Sequence, residues 1–161
     1  MTTCVALSVD IALLGCGTVG TAFARLTAQP SAHPPVHIAT ALVRDAARRR
    51  PLASSTRLTT DARRLFEEPA SILVELLGGV EPARALLLDA LDRGIAVVTA
   101  NKSLLARCGC ELRAAATATS TPLLYEAAVL AGVPFLGTFA RRPHAAAASA
   151  LVGIANATSN Y

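Results

Sequence analysis

The stretch DIALLGCGTVG, residues 10–20, decides the fold. Its first five residues form a short apolar run of the kind that becomes a buried parallel strand. Glycines follow at Gly15, Gly17 and Gly20, and a helical pattern begins inside this G-x-G-x-x-G spacing. Between a strand and a helix, these glycines give a tight turn, a backbone that phosphate can approach, and close packing of helix on strand. We therefore predict a turn that binds the pyrophosphate of a dinucleotide; the alternative is a purely structural turn.

Strands and helices alternate along the rest of the chain. Besides 10–14, we predict strands at residues 37–43, 72–77, 95–99, 122–125 and 151–155. We predict helices at 18–28, 61–68, 81–93 and 101–117, with Thr60 or Asp61 and Asn101 as N-caps, and irregular structure at 44–60. Short strand–helix units imply a parallel sheet with right-handed crossovers and helices on both faces. The predicted class is therefore α/β, a Rossmann-type doubly wound fold.

The composition fits a folded protein that binds a small molecule. The 161 residues are 53% hydrophobic and 16% charged, which suits one compact domain, or one domain and a fragment of another. Arginines give a net charge of +4, but aromatics are only 4%, so we expect no nucleic-acid partner. No apolar run would cross a bilayer, and the start lacks the basic segment of a signal peptide. The four cysteines lack metal-site spacing, so we expect reduced thiols, a cytoplasmic protein and no membrane partner.

The end of the second predicted strand bears on the choice of nucleotide. An acidic residue there would hold the ribose 2′-hydroxyl of NAD, whereas an arginine favours the 2′-phosphate of NADP. Here Arg44 and Asp45 follow the strand, with three more arginines at 48–50. Because Arg44 comes first and can pair with phosphate or stack on adenine, we predict a preference for NADP. Asp45 leaves NAD open as the alternative.

Lys102 is the only lysine of the chain. It follows Asn101 at the start of a predicted helix, where the helix dipole disfavours a cation. We predict that its ammonium serves a carboxylate, carboxamide or carbonyl of a substrate or coenzyme. The alternative is a lone surface lysine in a sequence that otherwise prefers arginine.

Five segments, in order and at compatible spacing, resemble those of homoserine dehydrogenases. They are GCGTVG at 15–20, VELLGGVEPA at 74–83, VTANK at 98–102, EAAVLAGVP at 126–134 and GIANATSNY at 153–161. Five ordered matches are more specific than a single glycine turn. The resemblance implies an NAD(P)-dependent oxidoreductase that interconverts L-homoserine and L-aspartate 4-semialdehyde in the biosynthesis of threonine and methionine.

The resemblance also implies particular site residues. The pyrophosphate is expected at Gly15, Gly17, Thr18, Val19 and Gly20. Gly78, Thr99 and Lys102 are expected around the nicotinamide, with Lys102 also positioning the substrate. Glu126, with backbone carbonyls of Val129, Ala131 and Val133, is implied as the ligand set of a monovalent cation, which is sodium in the family. On the sequence alone, Glu126 could equally cap a helix or form an ion pair.

The resemblance divides the chain into an NAD(P)-binding domain at 1–132 and the start of a second α/β domain at 133–161. The family's substrate-binding acids and main catalytic lysine would lie beyond Tyr161, so we expect this chain alone to be incomplete. Its apolar strand at 151–155 would then pair in a homodimer or with a complementing chain. The alternatives are a non-catalytic dinucleotide-binding module and one chain of a split dehydrogenase. The sequence departs from the family at Ala157, where a glycine is usual.

Overall fold

A computed structural model describes residues 8–30, 34–141 and 149–150. The strands are Val9–Leu14 (β1), Val36–Leu42 (β2), Arg57–Thr59 (β3), Ile72–Glu75 (β4), Ala96–Thr99 (β5) and Leu123–Leu124 (β6). The helices are Thr18–Thr27 (α1), Ala83–Asp92 (α2), Lys102–Thr119 (α3), Glu126–Val129 (α4) and Phe135–Arg141 (α5), and Ala62–Arg64 is a 3-10 turn. Within these described residues, no helix is both long and apolar enough to cross a membrane.

The six strands form one sheet in the order β3-β2-β1-β4-β5-β6. Each neighbouring pair is parallel, so every connection crosses over one face of the sheet. Strand β1 lies between β2 and β4, so the order of the strands reverses at β1. This confirms the predicted Rossmann-type fold, in which ligands bind beyond the carboxyl ends of the strands where the order reverses.

The central strand β1 is buried on both faces, as its apolar run predicted. Ala12 and Leu14 join the core cluster that α2 and α3 cover, whereas Ile11 and Leu13 join the cluster that α1 covers. All four side chains are buried because successive residues of a strand point to opposite faces. On the outer surface, Arg84 of α2 donates from Nε to Glu111 of α3 at 2.7 Å and so links the two helices.

At the amino ends of the strands, a short chain of polar side chains joins three segments. The Nδ1 of His37 lies 2.8 Å from the Oδ1 of Asp10, and its Nε2 lies 3.1 Å from the hydroxyl of Ser55. Asp10 and His37 are partners in the register of β1 and β2. These contacts lie at the edge opposite the glycine turn and hold the loop before β3 against the sheet.

Several sequence predictions differ from the structure, three of them between β2 and α2. Residues 44–60, predicted to be irregular, contain β3, a three-residue edge strand too short to show a periodic pattern. The predicted helix at 61–68 is a single 3-10 turn; Asp61 does cap it, accepting from the Arg63 amide at 3.0 Å. Helices this short gain little from their own hydrogen bonds. The strand predicted at 72–77 ends at Glu75, because the amides of Leu77 and Gly78 donate to the Glu75 carboxylate instead of to a neighbouring strand.

Two short helices, α4 and α5, were not predicted from the sequence. The segment predicted as a strand at 122–125 contributes only two residues to β6. Helix α2 begins at Ala83, with Pro82 as its N-cap, rather than at Glu81. The predicted strand at 151–155 and the departure at Ala157 lie outside the described residues.

Candidate functional site

A cleft of about 810 Å³ opens at the carboxyl ends of the central strands. It brings together the glycine turn, the arginine-rich loop after β2 and the turn after β4. The lining residues are Gly15, Cys16, Gly17, Leu42, Val43, Arg44, Asp45, Arg48, Arg50, Thr60, Ala62, Leu76, Leu77, Gly78, Glu81 and Pro82. Its position is the crevice at which a doubly wound sheet binds its ligand.

The three glycines of the turn meet different surroundings. Gly15 has φ +95°, and a Cβ there would lie 2.9 Å from the Leu76 carbonyl oxygen. A Cβ at Gly20 would collide with the carbonyl oxygen of Gly15. At Gly17, by contrast, no atom lies within 4 Å of the place a Cβ would take. Gly15 and Gly20 are therefore required by the fold, whereas Gly17 leaves open space beside the cleft.

Helix α1 begins without a side-chain cap. Its N-cap is Gly17, which offers no side chain to accept from the first amides of the helix. Thr18 and Val19 form the first turn, and both are exposed, Val19 to 60%. Uncapped amides and the positive end of the helix dipole together attract an anion. The start of α1 thus has the chemistry of a phosphate site.

The loop after β2 presents arginines to the cleft. Arg44 and Arg48 are exposed on its wall. Arg50 instead bonds to backbone: it donates to the carbonyls of Asp45 and Arg48, each at 2.7 Å, and to that of Cys16 at 3.4 Å. The Oδ1 of Asp45 accepts from the Ala47 amide at 2.8 Å, in a local turn. Two arginines are therefore available to a ligand, while the third holds the loop against the glycine turn.

A buried carboxylate lies just behind the cleft. Glu75, at the end of β4, is 0% exposed. Its Oε1 accepts from the amides of Leu77 at 2.9 Å and Gly78 at 3.1 Å. Its Oε2 accepts from the Thr99 hydroxyl at 2.5 Å. The carboxylate thereby fixes the turn after β4 and joins it to the end of β5.

Asn101 links this network to α3. Its side-chain oxygen accepts from the Leu104 amide at 3.0 Å, which confirms the predicted N-cap. Its Nδ2 donates to the Gly79 carbonyl at 2.5 Å and to Glu75 at 3.3 Å. One buried amide side chain thus fixes both the start of α3 and the glycine pair that follows β4.

The residues predicted at the nicotinamide end occupy different environments. Gly78 lines the cleft. Thr99 is only 1% exposed, and its hydroxyl is used within the protein, donating to Glu75 and accepting from the Asn101 amide. Thr99 could therefore contact a ligand through its backbone atoms rather than its hydroxyl.

Lys102 lies at the start of α3 and reaches α4. Its Nζ is 3.4–3.5 Å from the carbonyl oxygens of Ala127, Ala128 and Val129. These long contacts offset the unfavourable place of a cation at a helix start, because carbonyls at the end of another helix attract it. The lysine is exposed and is not among the residues that line the cleft.

The residues implied as a cation site take part in other hydrogen bonds in the structure. Both Glu126 oxygens accept amide bonds at the start of α5, from Leu136 at 2.7 Å and Gly137 at 3.1 Å. The Val133 carbonyl accepts from the Phe135 amide at 2.7 Å, and that of Val129 faces Lys102. The structure therefore gives Glu126 the capping role that the sequence left as an alternative.

The structure brings Gly15 and Gly17 of the predicted pyrophosphate site and Arg44 of the predicted ribose-phosphate site to one cleft, whereas Thr18, Val19 and Gly20 follow in α1 and are not among its lining residues. It sets Lys102 and Glu126 apart from that cleft, on α3 and α4. Sequence reasoning missed two residues of the site, Glu75 and Arg50. The signal for Glu75 was available, since it is the one charged residue in the otherwise apolar run ILVELL.

Comparisons with known proteins agree with this geometry. The sequence model of a family described as "Homoserine dehydrogenase, NAD binding domain" matches residues 15–126. A homoserine dehydrogenase of Corynebacterium glutamicum is 39% identical over 96% of this chain and 36% of its own length. The crystal structure of one from Thiobacillus denitrificans is 35% identical, with a TM-score of 0.76 over 87% of this chain and 34% of that one. A hyperthermophilic archaeal homoserine dehydrogenase in complex with NADPH is 25% identical, with a TM-score of 0.65 over 83% of this chain and 48% of that one.

Proposed function

The chain belongs to the homoserine dehydrogenase family, and from this premise we propose that it binds NADP(H) for the interconversion of L-homoserine and L-aspartate 4-semialdehyde. The chain spans 36% of the length of its Corynebacterium glutamicum relative. Coenzyme binding is therefore the part of the activity that we assign to residues of this chain. Turnover, the substrate and any partner belong to the same proposal and need their own tests.

One observation carries the proposal: the uncapped start of α1 opens on the cleft beside the glycine turn. Gly17 leaves free space there, and the first amides of α1 have no side-chain acceptor. A pyrophosphate would satisfy these amides and gain from the helix dipole. Gly15, Gly17, Thr18, Val19 and Gly20 make up this part of the proposed coenzyme site.

The arginine loop supports NADP over NAD. Arg44 and Arg48 face the cleft, and a guanidinium can bind a 2′-phosphate through two parallel hydrogen bonds. One oxygen of Asp45, the acid that would hold the ribose hydroxyl of NAD, is used by the Ala47 amide. The archaeal relative in complex with NADPH is consistent with this choice. NAD remains the alternative coenzyme, with weaker expected binding.

For the chemical step, we assign a positioning role to Lys102. When bound, NADP⁺ would accept the hydride from the alcohol carbon of homoserine, and the hydroxyl proton would be released to solvent. The Lys102 contacts to α4 are long, so its flexible side chain can exchange them for the hydroxyl of homoserine or the carbonyl of the aldehyde. Gly78 and the backbone of Thr99 would border the reacting end of the coenzyme.

Sodium has the least support of the proposed ligands. To bind it, the oxygens of Glu126, Val133 and Val129 would have to use the lone pairs that their present hydrogen bonds leave over, or exchange those bonds for the cation. Ala131 would add a fourth oxygen. A sodium-specific rise in melting temperature, relative to choline chloride at equal ionic strength, would support the site. An equal effect of both salts would remove sodium from the proposal.

The remaining assignments follow the family. We propose residues 1–132 as the coenzyme-binding domain and 133–161 as the start of a substrate domain. We place the protein in the cytoplasm, where the free thiols Cys16, Cys108 and Cys110 would stay reduced. The proposed partner is a second copy of this chain or a complementing chain. Light scattering of the chain alone would show whether it forms a homodimer.

The proposal is tested by calorimetric titration of the full chain with NADP⁺ and, separately, NAD⁺. We expect NADP⁺ to bind more tightly, and we expect R44A to lose about tenfold in NADP⁺ affinity with little change for NAD⁺. R107A, an exposed arginine on α3 outside the cleft, is the matched control and should behave as wild type. A folded chain that binds neither coenzyme would overturn the proposal.

Turnover is tested by following homoserine-dependent reduction of NADP⁺ after addition of a complementing chain, because we expect this chain alone to be incomplete. K102M should lower kcat strongly and leave the affinity for NADP⁺ close to that of wild type, because Lys102 is not among the residues that line the cleft. Binding without turnover, also after addition of a complementing chain, would support the non-catalytic module instead.

A further inference from the structure

The carboxylate of Glu75 is buried and balanced only by neutral donors. Two backbone amides, the Thr99 hydroxyl and the Asn101 amide surround it. Among the described residues, no lysine, arginine or histidine forms an ion pair with Glu75. A buried charge of this kind keeps its long-range field, because neither water nor a counter-ion screens it.

The field of this charge acts on one side of the cleft. The amides that Glu75 binds belong to Leu77 and Gly78, which line the cleft at the end of β4. The arginines lie on the other side of β1, at the end of β2. A dinucleotide whose pyrophosphate rests on the turn after β1 spans both sides. With its 2′-phosphate on the arginines, its other base lies on the Glu75 side.

That base changes its charge in the reaction. The nicotinamide ring is positively charged when oxidised and neutral when reduced. A fixed negative charge close behind the cleft wall attracts the first form and is indifferent to the second. We propose that Glu75 determines specificity for the redox state of the coenzyme, stabilising the oxidised form relative to the reduced form. This inference rests on the proposed function and deepens it.

A purely structural role would not require a charge. Glutamine has the same shape and could keep the bonds that Oε1 accepts from Leu77, Gly78 and Asn101. Its Nε2 could donate to the Thr99 hydroxyl oxygen, which also accepts from the Asn101 amide, so the Thr99 proton would lose its present acceptor. The other three hydrogen bonds that Glu75 accepts therefore need no charge at this position.

The test compares the dissociation constants of NADP⁺ and NADPH on the same preparation of the full chain. E75Q removes the charge and keeps three of the four hydrogen bonds that Glu75 accepts, whereas E75D keeps the charge and withdraws it from the Leu77 and Gly78 amides. We expect E75Q to weaken the binding of NADP⁺ about tenfold relative to that of NADPH, because the charge that attracts the oxidised ring is gone. E75D should weaken the binding of NADP⁺ and of NADPH by the same factor. The ratio is insensitive to partial loss of folded protein, because both constants come from one sample.

Each outcome decides between the alternatives. An unchanged ratio in E75Q, with both forms weakened alike, would overturn the inference and leave the proposed function standing. A ratio shifted in E75D as far as expected for E75Q would also overturn it, and this holds even if E75Q does not fold. An unchanged ratio in E75D together with a shifted ratio in E75Q supports it. Failure of folded wild type to bind either form would overturn the proposed function and the inference together.

Discussion

Two strand-to-helix junctions at the same edge of the sheet differ in how their helices begin. The β1–α1 junction has glycines, an uncapped helix start and open space at Gly17. The β5–α3 junction has Asn101 as a cap, joined to a buried carboxylate behind it. The first has no side-chain acceptor for its amides, whereas in the second the Asn101 side chain accepts from the Leu104 amide. The uncapped start of α1 is therefore better suited to an anionic ligand than the capped start of α3.

The largest effect is expected from G20A, which breaks the open junction itself. A methyl group at this position would collide with the backbone carbonyl of Gly15, so β1 and α1 could not pack as they do. We expect the free energy of unfolding to fall by about 3 kcal/mol, measured by urea denaturation. G109A is the control: its Cβ would meet only the Leu105 side chain at 4.0 Å, and alanine favours helix. Equal stability of G20A and wild type would contradict the packing described here.

The capped junction is tested by N101A. This change removes the N-cap of α3 and leaves the Gly79 carbonyl and the Glu75 carboxylate short of a donor. We expect a loss of about 2 kcal/mol in the free energy of unfolding. N101S keeps a capping oxygen but loses the two donated bonds, so it should recover about half of that loss. If N101S is no more stable than N101A, the cap contributes nothing measurable.

G17A separates binding from folding at the open junction. Since no atom lies within 4 Å of the added methyl group, we expect stability close to wild type by thermal melting. Coenzyme affinity should nevertheless fall about tenfold, because the methyl group takes space that a phosphate needs. Calorimetric titration with NADP⁺ measures this loss. Wild-type affinity in G17A would show that the pyrophosphate lies elsewhere.

The smallest effect concerns the Arg84–Glu111 pair, which fastens α3 to α2. The hydrogen bond from Arg84 lowers the pKa of Glu111 below its ordinary value of 4.5. Because this pKa is depressed in the folded protein, the pair stabilises it above about pH 4.5, and the contribution is lost as the pH falls through the folded-state value. E111Q should change stability little at neutral pH, since the pair is exposed, and should flatten the acid limb of the stability curve. An acid limb identical to that of wild type would contradict this.

The two junctions also differ in how far the sequence could predict them. The glycine turn is local: Gly15, Gly17 and Gly20 with their flanking strand and helix suffice to predict its shape. The Asn101 cap is equally local and was predicted. The Glu75 network joins residues 24 and 26 positions apart, and it exists only because β4 and β5 are neighbours in the sheet. Periodicity and capping rules carry no information on such pairs.

The same limit explains Lys102 and Glu126. The carbonyls near Lys102 lie 25–27 positions along the chain, and the amides bound by Glu126 lie 10 and 11 positions along. The sequence showed that each residue was unusual, but its partners depend on α4 and α5, which no pattern predicted. Arg50 was grouped with the arginines that favour NADP, and its bond to the glycine turn was missed for a similar reason, since Cys16 is 34 positions away.

Arg50 has a consequence for attempts to change the coenzyme. Its guanidinium bonds the loop after β2, the proposed ribose-phosphate site, to the Cys16 carbonyl of the glycine turn. Replacing residues 44–50 by the corresponding loop of an NAD-specific enzyme would remove the bond from Arg50 to Cys16 unless an arginine were kept at position 50. The arginine loop and the glycine turn are thus linked through one side chain. We expect a loop exchange that omits Arg50 to make the glycine turn less rigid as well.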